Sequence, residues 1–256
     1  MKKEYIILNK MIPWTIFEEE CIKKTIYTID NNSQKNIVFF GNCAIAPTGF
    51  FLNYLLHKNF NIHFIVSWLF EKNGFENFNM NLVNNKIQKV LLEADYFFYH
   101  HHNKDYGINA CEIFKKCNPK TISFSIPNFQ LSFEKSDSTS FHDSLGRLQN
   151  NILNDSDFKD FIFVYENCKN IRFFNTNFHP THYLLFLLAI SIKYKIIKKE
   201  KPMDLDTYYD ILSQNQFRSI KEFVVLPGFV KMTKKISQNT GIQENAHYID
   251  FDFFDF

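Results

Sequence analysis

Asn36-Ile37-Val38-Phe39-Phe40-Gly41-Asn42-Cys43-Ala44-Ile45-Ala46-Pro47-Thr48-Gly49 is the stretch whose reading decides the fold class. Its first half is an unbroken apolar run, without the polar alternation of a half-exposed strand, so it reads as a strand buried on both faces of a parallel sheet. A glycine ends the run, and a helix is predicted over Thr48 to His57. Three more runs, Asn61 to Trp68, Asp95 to His101 and Lys120 to Ile126, read as near-continuously apolar, with helical stretches predicted between them at Asn81 to Ala94 and Ile108 to Cys117. Strand and helix in alternation predict an α/β fold, an open and mostly parallel sheet flanked by helices.

After Pro127 the pattern changes. Asn128 to Ser140 has no period and contains Ser136-Asp137-Ser138-Thr139-Ser140, a loop signal that suits a lid or substrate loop. Helices are predicted at Phe141 to Leu153, Asp157 to Asn167 and Thr181 to Ile197, the last with Pro180 just before it. Beyond Pro202 come a helix from about Asp204 to Gln214 and a strand-like Glu222 to Leu226; the tail Tyr248 to Phe256 reads equally as an edge strand or a docked terminus. A chain of 256 residues fits a single domain, residues 1–256, with its core at about 36–197 and residues 198–256 as a C-terminal extension packed on it.

Composition narrows the function classes. With 29 basic and 27 acidic side chains the formal charge is +2, which gives no electrostatic reason to expect a nucleic acid partner. The five cysteines, Cys21, Cys43, Cys111, Cys117 and Cys168, are odd in number and contain no CxxC pair, so they indicate neither a disulfide framework nor a zinc knuckle. Reduced thiols and an N-terminus without a secretory h-region lead us to expect a cytoplasmic protein. The greasiest segment, Tyr183 to Ile192, is ten residues long against the ~20 that cross a bilayer, so no transmembrane span is expected. The 31 phenylalanines receive no functional weight.

The chemistry is expected at Cys43. A thiol at the carboxyl end of a buried strand, before a helix start, sits where open α/β sheets bind ligands and sees the positive helix end, which favours thiolate. Gly41 permits a tight turn or close substrate approach, the Asn42 amide is suited to donate to an oxyanion, and the N–H groups of Cys43 and Ala44 can complete the hole. The alternative, a small buried cysteine without chemistry, stays open for Cys43 on position alone.

A second constellation, Asn175-Thr176-Asn177-Phe178-His179-Pro180-Thr181-His182, leads into the long helix. His179, preferred to His182, is the candidate general base, with Asn175 or Asn177 to orient its ring. A helix-capping or solvent-facing histidine is the alternative. Tyr99-His100-His101-His102-Asn103 ends another strand on the crevice side, so His100, His102 and Asn103 are candidate crevice-lining residues; alternation allows at most two of these histidines to share a metal, and no metal is expected. Lys193, Lys195, Lys198, Lys199 and Lys201 complement the end of the long helix, with phosphate binding as the other reading; Arg147 and Arg172 are suited to grip a phosphate bidentately.

Taken together, Gly41-Asn42-Cys43 after the first sheet strand, Ala94-Asp95-Tyr96 opening a later strand, Ser125-Ile126-Pro127 closing another and His179-Pro180-Thr181 opening a long apolar helix resemble the WcbI family of polysaccharide-biosynthesis acetyltransferases. The resemblance implies an SGNH-hydrolase-like α/β fold, coenzyme A or acetyl-CoA as acyl donor, and O-acetylation of a capsular or other surface polysaccharide sugar. It also implies a peripheral place beside a polysaccharide assembly at the inner membrane face. By resemblance Cys43 takes the place of the nucleophile and His179 that of the base. Two departures stand out: the family's Gly-Asn-Cys-Gln reads Gly-Asn-Cys-Ala here, and Thr176 stands where an SGNH acid is expected, so a dyad is implied rather than a triad. The alternatives are an SGNH-like carbohydrate esterase and a non-catalytic glycan- or nucleotide-binding protein.

Overall fold

The computed structural model describes residues 10–24, 26–67, 85–101, 117–131, 138–176, 179–199, 203–213, 222–225, 237–238, 240 and 242–248. The helix expected from Ile108 and the tail beyond Tyr248 lie outside these residues. The strands are β1 (Lys10–Pro13), β2 (Tyr27–Ile29), β3 (Asn36–Gly41), β4 (Asn61–Val66), β5 (Tyr96–His100), β6 (Ile122–Ile126), β7 (Ile171–Arg172), β8 (Glu222–Val225) and β9 (His247–Tyr248). The α-helices are α1 (Trp14–Lys24), α2 (Ile45–Leu55), α3 (Asn85–Leu92), α4 (Ser138–Leu153), α5 (Ile162–Asn167), α6 (His182–Ile196) and α7 (Leu205–Ser213).

Five strands form an open sheet in the order β2-β4-β3-β5-β6. All its pairs are parallel except β2 with β4. The fold is therefore α/β with a mostly parallel sheet, as the uninterrupted apolar runs predict. Two short parallel pairs, β1 with β8 and β7 with β9, lie apart from it. The helix α1 and the antiparallel strand β2 were not anticipated, because β2 is partly exposed and too short to show a period.

Alternation in β3 sets the layers. Ile37 and Phe39 join the large core with residues of α1, α2 and α6, while Val38 and Phe40 join Ile87, Val90 and Leu91 of α3 on the other face. Register then lines up four phenylalanines on one face: Phe39 pairs with Phe64 and with Phe98, and Phe98 pairs with Phe124. Their rings stack at centroid separations of 5.9, 5.5 and 5.6 Å, a continuous ladder across β4, β3, β5 and β6. Such pairs contribute ~0.5–1.5 kcal/mol each beyond their buried area. These four phenylalanines thus have a structural use. The edge strand β6 is closed off toward its carboxyl end, where the Ser125 N–H donates to Asp157 Oδ2 at 2.7 Å and the Asp157 N–H donates to the Ser125 carbonyl at 2.9 Å.

Two helices built on this face position the site. Pro47 falls in the first turn of α2, where its missing N–H costs nothing. Helix α6 is apolar around its circumference and almost wholly buried, and it is capped by Thr181, whose Oγ1 accepts from the Leu184 N–H at 3.3 Å. The direction of α6 follows from its far end. Tyr96, the first residue of β5, donates from its hydroxyl to the Ile196 carbonyl at 3.4 Å. Leu56, just past α2, shares a cleft with Phe60, Tyr96, Ile196 and Ile197 at the same amino edge of the sheet. Both helices therefore end at the amino edge and start at the carboxyl edge, side by side and parallel, with Phe51 of α2 edge-on to Phe186 of α6 at 5.4 Å.

Helix α2 comes close to the ladder at Gly49. A Cβ there would lie 2.2 Å from Cε1 and 2.5 Å from Cζ of the buried Phe64 ring, and the stacked neighbours leave that ring nowhere to move. Gly146, on the exposed side of α4, would place a Cβ in open space. Gly49→Ala should lower stability by ~1–3 kcal/mol through overpacking. Gly146→Ala should raise it by ~0.5–1 kcal/mol through helix propensity. Urea midpoints of the two variants, read beside the parent, check both signs.

Candidate functional site

The carboxyl ends of β3, β5 and β6 meet at one edge of the sheet, and the residues just beyond them touch. Gly41 ends β3 against the His100 ring: a Cβ at Gly41 would fall 2.4 Å from His100 Nδ1 and 2.8 Å from Ile45 Cγ2. Close approach is what Gly41 permits. His100 is almost fully buried, and its Nδ1 accepts the Asn42 N–H at 3.2 Å. That bond requires an unprotonated Nδ1, so in a neutral ring the proton sits on Nε2. The Ser67 N–H, just past β4, donates to the Gly41 carbonyl at 2.8 Å and ties the fourth strand into the same turn.

The Asn42 side chain is engaged at both ends. Its Oδ1 accepts the Ala44 N–H at 2.9 Å, and its Nδ2 donates to Asn128 Oδ1 at 2.7 Å. Asn128 lies two residues past the end of β6, and its carbonyl accepts from Asn151 Nδ2 of α4 at 3.1 Å. Two expectations are corrected here. The Ala44 N–H does not stand open for an oxyanion, because an Asx-type bond satisfies it, as the orphan amides of a helix start demand. One amide hydrogen of Asn42 is likewise already spent on Asn128. The sequence marks Asn128 as the start of a lid or substrate loop and gives it no role of its own; its one signal is its place after Pro127, as the first polar residue beyond the carboxyl end of a strand.

Cys43 follows in the turn, half-buried. Burial pushes its thiol up to about 12; the N–H groups of Cys43 and Ala44 pull it down by less, and the Glu18 carboxylate adds to the rise. The expected net activation by the helix start is thus overturned: the amide end acts in the expected direction, but desolvation of a thiolate is larger. At neutral pH this sulfur holds its proton, and any attack by it needs a base.

His179 sits in the turn before α6, partly buried. Its carbonyl accepts the Asn175 N–H at 2.8 Å, and Phe174 bridges to Pro180 across the turn. Because α2 and α6 start at the same edge of the sheet, His179 and Cys43 belong to neighbouring helix starts. The Asn175 Oδ1 accepts the Tyr248 hydroxyl at 2.8 Å. His182 is buried in the first turn of α6. His102, Asn103 and Asn177 lie outside the described residues.

The cationic candidates fall elsewhere. Arg172 is buried, donating from Nε to the Phe174 carbonyl at 3.0 Å and from a terminal nitrogen to the Asn175 carbonyl at 3.3 Å, with its guanidinium 5.2 Å from the Tyr248 ring centroid. It braces the His179 turn. Lys193, Lys195, Lys198 and Lys199 are at the end of α6, roughly 20 Å along the helix from His182 and at the opposite edge of the sheet. Lys195 stands over the rings of Phe124 and Phe158 at 5.8 and 5.7 Å. Clefts of about 380 and 590 Å³ flank Tyr96 at that amino edge, away from every candidate catalytic residue. Among the described residues no group of three His, Cys, Asp or Glu side chains is placed to hold a metal ion. No described helix is long and apolar enough to cross a membrane.

No family model matches the sequence, and no curated protein matches it. One solved structure is similar, described as WcbI, a novel polysaccharide biosynthesis enzyme, in a native form without a disulfide bond between coenzyme A and one of its cysteines. The likeness has a TM-score of 0.47 at 12% identity and covers 63% of this chain and 69% of that one.

The buried thiol makes a direct prediction. With Cys43 near 12, iodoacetamide at pH 8 should alkylate it at least ~100-fold more slowly than an exposed cysteine peptide, the rate climbing through pH 9 to 12. Peptide-mapped mass spectrometry, with Cys43→Ala as the blank, reads this out; fast labelling at pH 8 contradicts it. Cys21 and Cys117 are also raised to about 12 and Cys168 to about 11. Their contribution to stability is full below the unfolded value, roughly 8.5, and is lost as pH rises through 11 to 12.

Proposed function

We propose that the chain is an acetyl-CoA-dependent O-acetyltransferase whose acceptor is a hydroxyl of a capsular or other surface polysaccharide sugar, working with Cys43 and His179. The observation that carries this reading is the parallel run of α2 and α6, which brings two helix starts, one after Cys43 and one after His179, to the carboxyl edge of the sheet. That edge is where ligands bind in open α/β sheets, and paired helix starts favour the charge that develops on a thioester oxygen.

In the covalent route the Cys43 proton passes to His179 as the sulfur attacks the thioester carbonyl. The tetrahedral intermediate collapses, and coenzyme A leaves as a thiol after taking that proton. A sugar hydroxyl then attacks the acetyl-cysteine, gives its proton to His179, and the sulfur regains it. In the direct route His179 deprotonates the hydroxyl, which attacks bound acetyl-CoA itself. Either way the products are an acetyl ester and free coenzyme A. The raised Cys43 thiol makes a base necessary for the first route.

One finding favours a second reading, a non-catalytic glycan- or nucleotide-binding protein: the Ala44 N–H and part of the Asn42 amide are already bonded. The two readings part cleanly in experiment. Acetyltransfer predicts coenzyme A binding by calorimetry and acetyl-CoA turnover that falls at least ~100-fold in both Cys43→Ala and His179→Ala. Intact-mass spectrometry after brief exposure to acetyl-CoA separates the routes by a Cys43 adduct. Ligand binding unchanged in Cys43→Ala, with no turnover by the parent, overturns the enzyme reading.

A further inference from the structure

Resting on the acetyltransfer reading, we propose that Asn128 is a further substrate-contacting residue, whose side-chain NH₂ donates to the acyl carbonyl oxygen beside Asn42. The argument is one of donors and acceptors. The Ala44 backbone N–H can only donate, so the Asn42 atom that meets it at 2.9 Å must be Oδ1. The other end of the Asn42 amide is then NH₂, and the Asn128 atom it meets at 2.7 Å must accept, so that atom is Oδ1. Neither amide is left a choice of orientation. What remains is one hydrogen on Asn42 Nδ2 and the whole NH₂ of Asn128, neighbouring donors at the carboxyl edge of the sheet.

The surroundings hold this pair as an oxyanion donor must be held. Asn42 is fixed through its backbone by His100 Nδ1 and through its side chain by the Ala44 N–H, and Asn128 is fixed through its carbonyl by Asn151 of α4. Donors already oriented before the reaction need no reorganisation when charge develops on the oxygen, which is the condition for a large electrostatic contribution. Asn128 is partly exposed, so a ligand can reach its amide. It comes from a different strand end than Cys43, and it offers the hydrogen-bond capacity that the engaged Ala44 N–H does not.

The decisive variant is Asn128→Asp. The introduced carboxylate is the same shape and still accepts from Asn42 Nδ2, but it has no hydrogen to donate. If Asn128 contacts the reacting oxygen, kcat for acetyl-CoA falls ~10²–10³-fold while the melting temperature and coenzyme A affinity stay near the parent's. Relative to the parent at the same pH, turnover should then recover as pH falls and the carboxyl regains a proton to donate. Asn128→Leu, which removes donor and acceptor together, should show the same loss without that recovery. If Asn128 serves only as an acceptor that positions Asn42, Asn128→Asp keeps kcat within ~3-fold of the parent and the proposal is overturned. The parent protein separates the two levels: no turnover in the parent defeats the acetyltransfer reading and this proposal with it, whereas parent turnover matched by Asn128→Asp defeats only the Asn128 assignment.

Discussion

Four phenylalanine rings in register bear on everything else in this molecule. Phe64, Phe39, Phe98 and Phe124 stack across four neighbouring strands, and a slip of one residue in any of them would turn its ring to the opposite face. The ladder thus fixes how far each strand extends. With the rings level, Gly41, Ser67, His100 and Asn128 come out at one edge. The same rings form the floor on which α2 lies, and Gly49 is the point where the helix comes close enough to touch it. Position of the site and stability of the sheet therefore depend on one set of contacts.

Above that floor, the site is a contest between two electrostatic effects. The N–H groups of Cys43 and Ala44 at the start of α2 favour a thiolate, yet burial of the sulfur favours the thiol. Desolvation is the larger. In the proposed reaction a thiol so held needs a partner base, the role proposed for His179 at the neighbouring start of α6. Arg172 and Tyr248 bear on this indirectly: the arginine spends its donors on the carbonyls of Phe174 and Asn175, and the tyrosine hydroxyl holds the Asn175 side chain, so the turn before His179 is braced from beneath.

How much of this was legible beforehand differs from residue to residue. The strands around Phe39, Phe64 and Phe98 were evident because burial on both faces leaves a short, nearly continuous apolar run, while the edge strand around Phe124 alternates with serines. Helix α6 was evident from an apolar run too long for a strand, with Pro180 before it. Strand β2 and helix α1 were not, since one is a short, half-exposed edge and the other shows only a weak apolar stripe. At the site, Gly41, Asn42 and Cys43 could be singled out because they end a buried strand just before a helix, the place where open α/β sheets bind ligands. Asn128 could not be, because an asparagine after a proline is an ordinary loop residue until another strand end is known to lie beside it. The bond from the Tyr248 hydroxyl to the Asn175 side chain, 73 residues apart, has no signal in the local sequence.

Local pattern by itself determined the α/β class, the buried strands, the long apolar helix and the strand-end turn that carries Cys43, because each of these is written in the periodicity of a few consecutive residues. Only the tertiary structure decided that α2 and α6 run parallel, that His100 and Asn128 hold Asn42, and that burial outweighs the helix start at the Cys43 sulfur. Those outcomes depend on which side chains meet across the sheet and on how much water their meeting excludes, and neither quantity is a property of any one segment.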